Sequence, residues 1–230
     1  MGNSMNISKK PNAHARLLRA ATNVFGSRGY HAARVSDIVA EAGVAQGTFY
    51  LYFDSKEAVF LRLIDDFFGG LLGETLGRFP ATAMADSAEL AAQFRQMWIT
   101  IVESCRRERV LTSLVLREAR AIGPETRIRV DNWYSKAAGA IDSYLRVATE
   151  RGLLREGMSD ATAWALLGVT ERAIHYACEV NTGVSSEALA DELLQLELTG
   201  LLGDRSGTQD TSQPRKPDGR IRAGPPERDQ

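Results

Sequence analysis

One short segment near the N-terminus combines amide, hydroxyl and small side chains in a pattern suited to hydrogen bonding at a surface. Residues 45–52 read AQGTFYLY. Gln46 and Thr48 can donate and accept hydrogen bonds at base edges, and the hydroxyl groups of Tyr50 and Tyr52 can reach phosphate oxygens. Gly47 would let the backbone approach a partner closely. This chemistry is typical of a surface that enters a nucleic-acid groove.

The residues flanking this segment extend the same interpretation. Lys56 follows at the predicted start of the next helix, where its charge and the free backbone N–H groups suit a phosphate. The sequence assigns these residues to the interface: Arg34, Ser36, Ala45, Gln46, Gly47, Thr48, Tyr50, Leu51, Tyr52 and Lys56.

Charge along the chain is uneven, although the formal net charge is only −1. The first acidic residue is Asp37, and six cationic residues precede it: Lys9, Lys10, Arg16, Arg19, Arg28 and Arg34. An anionic partner for the N-terminal region explains this asymmetry, and a solvated basic surface explains it equally well.

Helix-turn-helix geometry can position these side chains. A short helix over 35–42, Gly43 at a turn and a second short helix over 45–52 make the unit, and a preceding helix over 12–27 offers it an apolar stripe. Ile38, Val39, Val44 and Phe49 can pack the helices together. We therefore assign Phe49 and Phe53 to packing and the two tyrosines to the partner.

The remainder of the chain keeps a helical pattern, and alternating β-branched runs are scarce, so the predicted fold class is all-α. A long helix should start at Asp54 or Ser55 and run toward Arg78, with a bend at Gly69, Gly70 and Gly73. Further helices are predicted over 87–107, 109–121, 124–151, 159–181 and 185–202.

Composition bounds the class of protein. The chain has 230 residues, of which 44% are hydrophobic and 25% charged, as in globular proteins. Cys105 and Cys178 stand alone at apolar helical positions, which suits buried thiols and a reducing cytoplasm. No signal-peptide pattern and no run of 18 apolar residues is seen, so we expect no membrane partner.

Four segments follow from these patterns. Residues 1–11 are predicted to form a flexible basic arm and residues 204–230, which are rich in proline and mixed charge, a disordered tail. Between them we expect a helix-turn-helix DNA-binding domain over 12–58 and a helical ligand-binding and dimerisation domain over 59–203.

The run DIVAEAGVAQGTFYLYFDSKEAVF resembles the DNA-binding signature of the tetracycline-repressor (TetR) family of bacterial regulators. The resemblance covers residues 12–62 and rests on pairs such as Gly43-Val44 and on Gly47-Thr48-Phe49-Tyr50. Two positions depart from the family pattern. Val39 replaces the usual alanine, and Arg34 stands where a capping Thr or Ser is common, which leaves its contact with DNA open.

Membership of this family implies a repressor that binds a palindromic operator as a homodimer and releases it when a small effector binds. In the family the last two long helices pair with their copies in a four-helix bundle. Two features of this chain are compatible with that arrangement. Bulky and small residues alternate from Trp164 to Ala177, and leucines crowd residues 189–202.

A small hydrophobic or amphipathic effector is expected to occupy an apolar cavity among the later helices. The residues that could line it are Met97, Trp98, Ile101, Val102, Leu114, Trp133, Tyr134, Tyr144, Trp164 and Tyr176, with Glu171 and His175 as polar lining. Trp98, Val102, Leu114, Trp133, Glu171 and His175 are the predicted site. Glu171, His175 and Glu179 share one helical face at four-residue spacing, but no other histidine lies nearby in sequence, so no metal is predicted.

Two other functions remain open at this point. A helical-bundle enzyme would need a nucleophile–base pair, a metal-binding motif or a phosphate loop, and the sequence has none of these, so no catalytic residue and no cofactor is predicted. A DNA-binding architectural protein without a ligand remains compatible with the residues.

Overall fold

The computed structural model describes residues 12–201, and the predicted arm and tail lie outside this part of the chain, as do residues 202 and 203 of the second predicted domain. Within it the chain forms ten α-helices and no strand, as the all-α prediction required. Their bounds are α1 Ala13–Arg28, α2 Val35–Ala42, α3 Gln46–Tyr50, α4 Lys56–Glu74, α5 Ser87–Arg107, α6 Arg109–Arg117, α7 Ala119–Ile122, α8 Pro124–Glu150, α9 Asp160–His175 and α10 Ser186–Leu201.

Side-chain caps start several of these helices where the sequence predicted. Asn12 accepts a hydrogen bond from the backbone N–H of Ala15 at 2.8 Å, and Ser55 does the same for Ala58 at 3.0 Å. Asp86 caps α5 through two backbone N–H groups. Such caps satisfy donors that the first turn leaves without a partner, which fixes the starting residue.

Helix α4 continues without interruption through Gly69, Gly70 and Gly73, where the sequence predicts a bend, to Glu74. It stops four residues before the predicted end at Arg78. There the hydroxyl of Thr75 donates to the carbonyl of Leu71 at 2.6 Å, and the backbone turns away.

Two predicted helices are each divided. The segment over 109–121 breaks at Glu118 into α6 and α7. The segment over 159–181 changes at Tyr176 into a π-helical turn over Tyr176–Val180, where the N–H of Asn181 donates to the carbonyl of Tyr176 at 2.8 Å. A π turn rotates the residues that follow it, so Glu179 no longer shares a simple four-residue face with Glu171 and His175.

The core of the N-terminal helices extends beyond the helix-turn-helix itself. Leu17, Phe25, Ile38, Phe49 and Phe60 are fully buried in it. The same apolar cluster also contains Leu111, Leu114 and Val115 of α6 and Val130 of α8. The helix-turn-helix unit therefore packs directly on helices that belong to the larger C-terminal part.

Two helices reach from that core into the C-terminal part. The first half of α4 contributes Val59, Phe60 and Leu63 to the N-terminal core, and the second half turns Phe67, Phe68 and Leu71 toward a cavity. Helix α6 also contacts both regions, but through two different faces. Leu111 and Leu114 face the N-terminal core, and Thr112 and Leu116 line the cavity. A change in the cavity can reach the N-terminal helices through either element.

Helices α5, α8, α9 and α10 complete the C-terminal part. Helix α10 packs along α5, where Arg95 forms a salt bridge with Asp191 at 2.6 Å and Ala190 is fully buried. In residues 12–201 no helix is both long and apolar enough to cross a lipid bilayer.

Candidate DNA-binding surface and effector cavity

Helix α3 has one buried face, and that face is built on Phe49. Its ring is fully buried and lies 5.8 Å from the ring of Phe53, which is 7% exposed. Both aromatic residues predicted to be packing residues occupy the core. An alanine at a buried phenylalanine position costs about 3 to 5 kcal/mol, which is enough to detach a helix of five residues from its domain.

The turn between α2 and α3 depends on Gly43 and on a basic side chain from α1. Gly43 has φ of 62°, in the left-handed region that favours glycine. The guanidinium of Arg16 donates to the carbonyls of Ala42 and Gly43, the latter at 2.8 Å. Arg16 thus uses its charge to hold the turn, which reduces its availability to an external anion.

The opposite face of α3 is open to solvent. Tyr50 is 52% exposed, Tyr52 47% and Leu51 81%, which is unusual for large side chains without a partner. Ala45, Gln46 and Gly47 are exposed beside them, and Thr48 is half-buried. The structure therefore brings together on one surface the residues that the sequence assigned to α3 and its two ends.

Gly47 has no structural requirement for glycine. A methyl group added at its Cα would meet no atom within 4 Å, and its backbone does not have a positive φ. Since alanine is the better helix former, the protein's own fold gives no reason for glycine here. Close approach of an external partner does.

Tyr52 has two sets of surroundings. One edge of its ring lies 5.5 Å from the ring of His14, which in turn stacks on Phe53 at 5.3 Å. This contact ties the end of the helix-turn-helix to the start of α1. The remainder of the ring faces solvent.

The start of α2 is capped in an unusual way. Arg34 is the N-cap residue and forms no cap hydrogen bond through its side chain, as its chemistry predicted. Instead Asp37 reaches back, and its Oδ2 accepts the backbone N–H of Arg34 at 3.0 Å while Oδ1 binds Arg28 at 2.9 Å. The side chains of Arg34 and Ser36 are exposed and close to α3 in sequence.

Lys56 is placed differently from the phosphate-contacting role predicted for it. Its ammonium group donates to the carbonyls of Tyr30, His31 and Ala33 at 2.7, 3.3 and 2.8 Å, and it lies 4.3 Å from the centre of the Tyr30 ring. An ammonium group has three donor protons, and three carbonyls use them. Burial lowers its pKa, and burial together with Glu57 raises the pKa of Tyr30 to about 12. Lys56 therefore anchors the loop between α1 and α2.

The same loop is also held from the C-terminal part. Glu118, at the break between α6 and α7, accepts the backbone N–H of Tyr30 through Oε2 at 3.1 Å. Glu57 at the start of α4 accepts a hydrogen bond from Thr126 of α8 at 3.1 Å. Polar contacts thus add to the apolar core in joining the DNA-binding unit to the larger part.

A cavity of about 140 Å³ lies between the C-terminal helices. Its wall is almost entirely apolar and comes from α4, α5, α6, α8, α9 and α10. The lining residues are Phe67, Phe68, Leu71, Leu72, Thr75, Leu76, Phe94, Met97, Trp98, Ile101, Thr112, Val115, Leu116, Tyr134, Ala137, Ile141, Tyr144, Leu145, Leu166, Leu167, Thr170, Glu171, Ile174 and Glu197.

Two carboxylates interrupt the apolar wall. Glu171 Oε2 accepts a hydrogen bond from the hydroxyl of Tyr134 at 2.8 Å, and Glu197 Oε2 accepts one from the indole N–H of Trp98 at 3.0 Å. Burial raises the pKa of Glu197 to about 7, against the opposing effect of the Trp98 hydrogen bond. Burial first, and then the bond to Glu171, raises the pKa of Tyr134.

Of the six residues predicted to bind an effector, Trp98 and Glu171 line the cavity. The other four do not. Val102 is fully buried beside Ala177 and Leu189, and Leu114 belongs to the N-terminal core. Trp133 stacks on Phe68 at 5.9 Å and donates to Asp65, outside the cavity wall. His175 lies at the end of α9, just before the π turn.

Sequence reasoning did not assign Glu197 to the cavity. It stands between Leu196 and Leu198 in a helix otherwise rich in leucine. An acidic residue within such a run indicates a buried carboxyl group that has a specific role. Among the residues described, no cluster of three or more His, Cys, Asp or Glu could hold a metal ion.

Four large apolar side chains are exposed on α9, the π turn and α10, and they are called the apolar strip below. Trp164 is 47% exposed, Tyr176 39%, Val180 64% and Leu196 61%. Gly168 lies on the same helix as Trp164, and a methyl group there would meet nothing within 4 Å. Large exposed side chains beside a small residue are typical of a surface on which another helix packs.

The fold and the surface around α3 are those of a helix-turn-helix protein, and comparison with known proteins shows which family this region resembles. Residues 17–63 match the family described as bacterial regulatory proteins, tetR family. This match covers the helix-turn-helix region and the start of α4, and over that region the chain is similar to TetR-family regulators.

Similarity to individual proteins is uneven along the chain. An uncharacterised helix-turn-helix regulator of Bacillus subtilis, YdgC, is 57% identical over 60 residues, which are 26% of this chain and only 31% of that relative. The fatty acid metabolism regulator protein of Bacillus subtilis is 24% identical over 202 residues, which cover 85% of this chain and 98% of the relative. The crystal structure of FadR from Bacillus subtilis in complex with stearoyl-CoA superposes with a TM-score of 0.70 at 22% identity, over 81% of this chain and 98% of that one. At this identity the superposition describes the fold alone.

Proposed function

We propose that this protein is a ligand-responsive transcriptional repressor that binds a palindromic operator as a homodimer and releases it when a small hydrophobic or amphipathic molecule occupies the cavity. The observation that carries the proposal is the exposed face of α3, mounted on a core that α4 and α6 share with the cavity wall.

Contacts with DNA are proposed for the side chains that project from α3 and its two ends. Gln46 and Thr48 at the start of the helix would read base edges in the major groove, with Gly47 at the point of closest approach. Tyr50 and Leu51 lie farther along the same exposed surface, where phosphate and sugar contacts fix orientation. Ala45, Tyr52, Arg34 and Ser36 flank this surface, and Lys56 supports it through the loop carbonyls.

A homodimer follows from two independent considerations. A helix of five residues reaches too few base pairs to select one site in a genome, whereas two copies related by a two-fold axis read a palindrome. The exposed apolar strip on α9 and α10 supplies a surface for a second copy of the chain. Residues 12–58 would then form the DNA-binding domain and residues 59–203 the effector and dimer domain.

Release of DNA requires that the effector prefer one conformation over another. Filling the cavity would move the second half of α4 and the cavity-facing side of α6. Both helices also pack in the N-terminal core, and Glu118 beside α6 holds the loop at Tyr30. Such a shift would change the distance between the two α3 helices of a dimer. Repression is the mode proposed because DNA occupancy alone can block a promoter.

A quantitative gel shift tests the proposal. The probe is the DNA upstream of the protein's own gene, and the competitor is an equal mass of scrambled duplex. We expect the protein to keep the probe bound when scrambled DNA is added. Its footprints should fall in half-sites separated by about one helical turn of roughly 34–36 Å. Retention that any duplex displaces equally would favour an architectural protein, and absence of retention on every duplex would contradict the proposal.

A further inference from the structure

Within residues 12–201, the charged groups that line the cavity are all acidic. None of these lining residues is Lys, Arg or His, and the two carboxylic acids are Glu171 on α9 and Glu197 on α10. A carboxylate or phosphate group of a ligand would therefore meet an apolar wall with negative charge and no compensating cation. Burying an unpaired anion in such surroundings is strongly unfavourable.

Arg120 is the arginine nearest the wall, with its guanidinium 4.6 Å from the centre of the Tyr134 ring and paired with Asp131 at 3.6 Å. Two other arginines do not alter this balance, because they are engaged elsewhere. Arg106 donates to Ser186 and to the carbonyls of Ala177 and Val184, where it holds the turn before α10. Arg107 binds Glu74 at 2.7 Å. These contacts bind the helix ends together on the outside of the cavity wall.

Both carboxylates are oriented by aromatic donors. The hydroxyl of Tyr134 and the indole N–H of Trp98 each bind one carboxylate oxygen, Oε2 in both cases. Within the described residues no hydrogen bond is made to Oε1 of either group, so each keeps acceptor capacity for a further donor. Trp98 and Tyr134 also line the cavity, so aromatic faces adjoin the acceptors.

We infer that the cavity selects amphipathic ligands whose polar group donates hydrogen bonds, above all a protonated amine, and disfavours ligands that carry an anionic group into it. The apolar wall takes the hydrocarbon or aromatic body of the ligand, and Glu197 and Glu171 take its donor. The face of Trp98 adds cation–π attraction, whereas the ring of Tyr134 already has the guanidinium of Arg120 at 4.6 Å from its centre. This inference rests on the proposed function, because it takes the cavity to be the effector site.

The ionisation of Glu197 is consistent with this selectivity. A carboxyl group whose pKa burial raises to about 7 is partly protonated near neutral pH. An incoming cation favours the ionised form and gains a charge-assisted hydrogen bond. A neutral donor can bind the same group, whereas an anion gains no counter-charge there.

Three probes of equal chain length separate these possibilities: octylamine, 1-octanol and octanoate. Their affinities are measured by calorimetry at pH 7 without DNA, on the full chain and on two variants. Glu197→Gln keeps an acceptor for Trp98 but removes the charge. Glu192→Gln is the matched control, since Glu192 is exposed on the same helix.

We expect octylamine to bind at least about tenfold more tightly than octanoate, with octanol between them. Glu197→Gln should lower the affinity for octylamine by about tenfold and so reduce the difference in affinity between octylamine and octanoate. Glu192→Gln should leave the order of the three affinities unchanged. Three results would overturn the inference. The first is that octanoate or octanoyl coenzyme A binds as tightly as octylamine, and the second is that Glu197→Gln leaves the order of affinities unaffected. The third is that none of the three probes binds.

Repeating the gel shift with octylamine separates this inference from the function on which it rests. Binding in the predicted order together with release of DNA supports both. Binding in that order without any effect on DNA affinity supports the ligand class and contradicts the effector role of the cavity.

Discussion

Single residues on the surface proposed to face DNA divide into those that the fold needs and those that it does not. Phe49, Phe53, Arg16 and Lys56 hold the helix-turn-helix together. Gln46 and Gly47 are exposed and make no side-chain hydrogen bond within residues 12–201, and Tyr50 is exposed with one ring contact, to Phe49 at 5.3 Å. Substitutions in the two groups should therefore affect different measurements.

Gly47→Ala tests the second group. We expect it to leave thermal stability unchanged or slightly higher, because the added methyl group meets open space and alanine favours a helix by up to about 1 kcal/mol. DNA affinity should fall about tenfold, because a Cβ would prevent close approach of the backbone. Gly70→Ala is the matched control, since that helical glycine also faces open space. Equal DNA affinity in both variants would contradict the role of Gly47.

Lys56→Met tests the first group. Removing three charge-assisted hydrogen bonds to loop carbonyls should destabilise the protein by about 2 kcal/mol, measured by urea unfolding. Lys136→Met removes an exposed lysine whose ammonium lies 4.4 Å from the centre of the Trp133 ring, and it should cost less than about 1 kcal/mol. If Lys56 contacted phosphate instead, stability would be retained and the slope of log affinity against log salt would flatten by about one unit.

At the scale of whole elements, two exposed apolar surfaces are separate from each other. One lies on α9 and α10, and the other lies on α3. A pair of equivalent substitutions distinguishes their roles. Leu196→Glu places a charge on the strip proposed for the dimer, and Leu51→Glu places one on the DNA-facing surface. Sedimentation velocity should find monomer for the first variant and dimer for the second. A dimer in both, or a monomer in both, would show that the strip has been wrongly placed.

The bounds of a helix were predictable from the sequence where residues close to its ends determine them. Helices α2 and α5 have the predicted bounds, because Gly43 and the cap at Asp86 act within a few residues. The breaks at Glu118 and Tyr176 were not predictable, because the first coincides with a contact to Tyr30 from a distant helix and no local residue marks the second.

The two sites differ in the same way. Side chains that share α3 are placed by its short helical repeat, so their common surface follows from spacing. The cavity depends on how six helices are rotated against one another, which the sequence does not specify. Trp98 and Glu171 were identified, Leu114 and Trp133 fell on other surfaces, and Glu197 was missed. The sequence assigned Lys56 to a phosphate contact rather than to the loop, because its three carbonyl partners come together only after folding.

At the scale of the whole molecule, the raised pKa of Glu197 links stability to pH. The folded protein holds this proton up to about pH 7, whereas the unfolded chain releases it near the ordinary value of 4.5. The stabilising contribution is therefore complete below pH 4.5 and is lost as pH rises toward 7.

Glu197→Gln should remove this dependence. Relative to the unmodified protein, the variant should have a similar unfolding free energy at pH 5 and a higher one at pH 8, by up to about 3 kcal/mol. Urea unfolding at both pH values measures the difference. A difference that is the same at pH 5 and pH 8 would contradict the burial of this carboxyl group.

The central claim is that α3 reads DNA as one of two symmetric copies. The most direct measurement selects bound duplexes from a random library and sequences them, for the unmodified chain and for Leu51→Glu. The unmodified chain should enrich one motif with two-fold symmetry and half-sites about one turn apart, which Leu51→Glu fails to enrich. An enriched motif without symmetry, the same motif with Leu51→Glu, or no enrichment by the unmodified chain would contradict it.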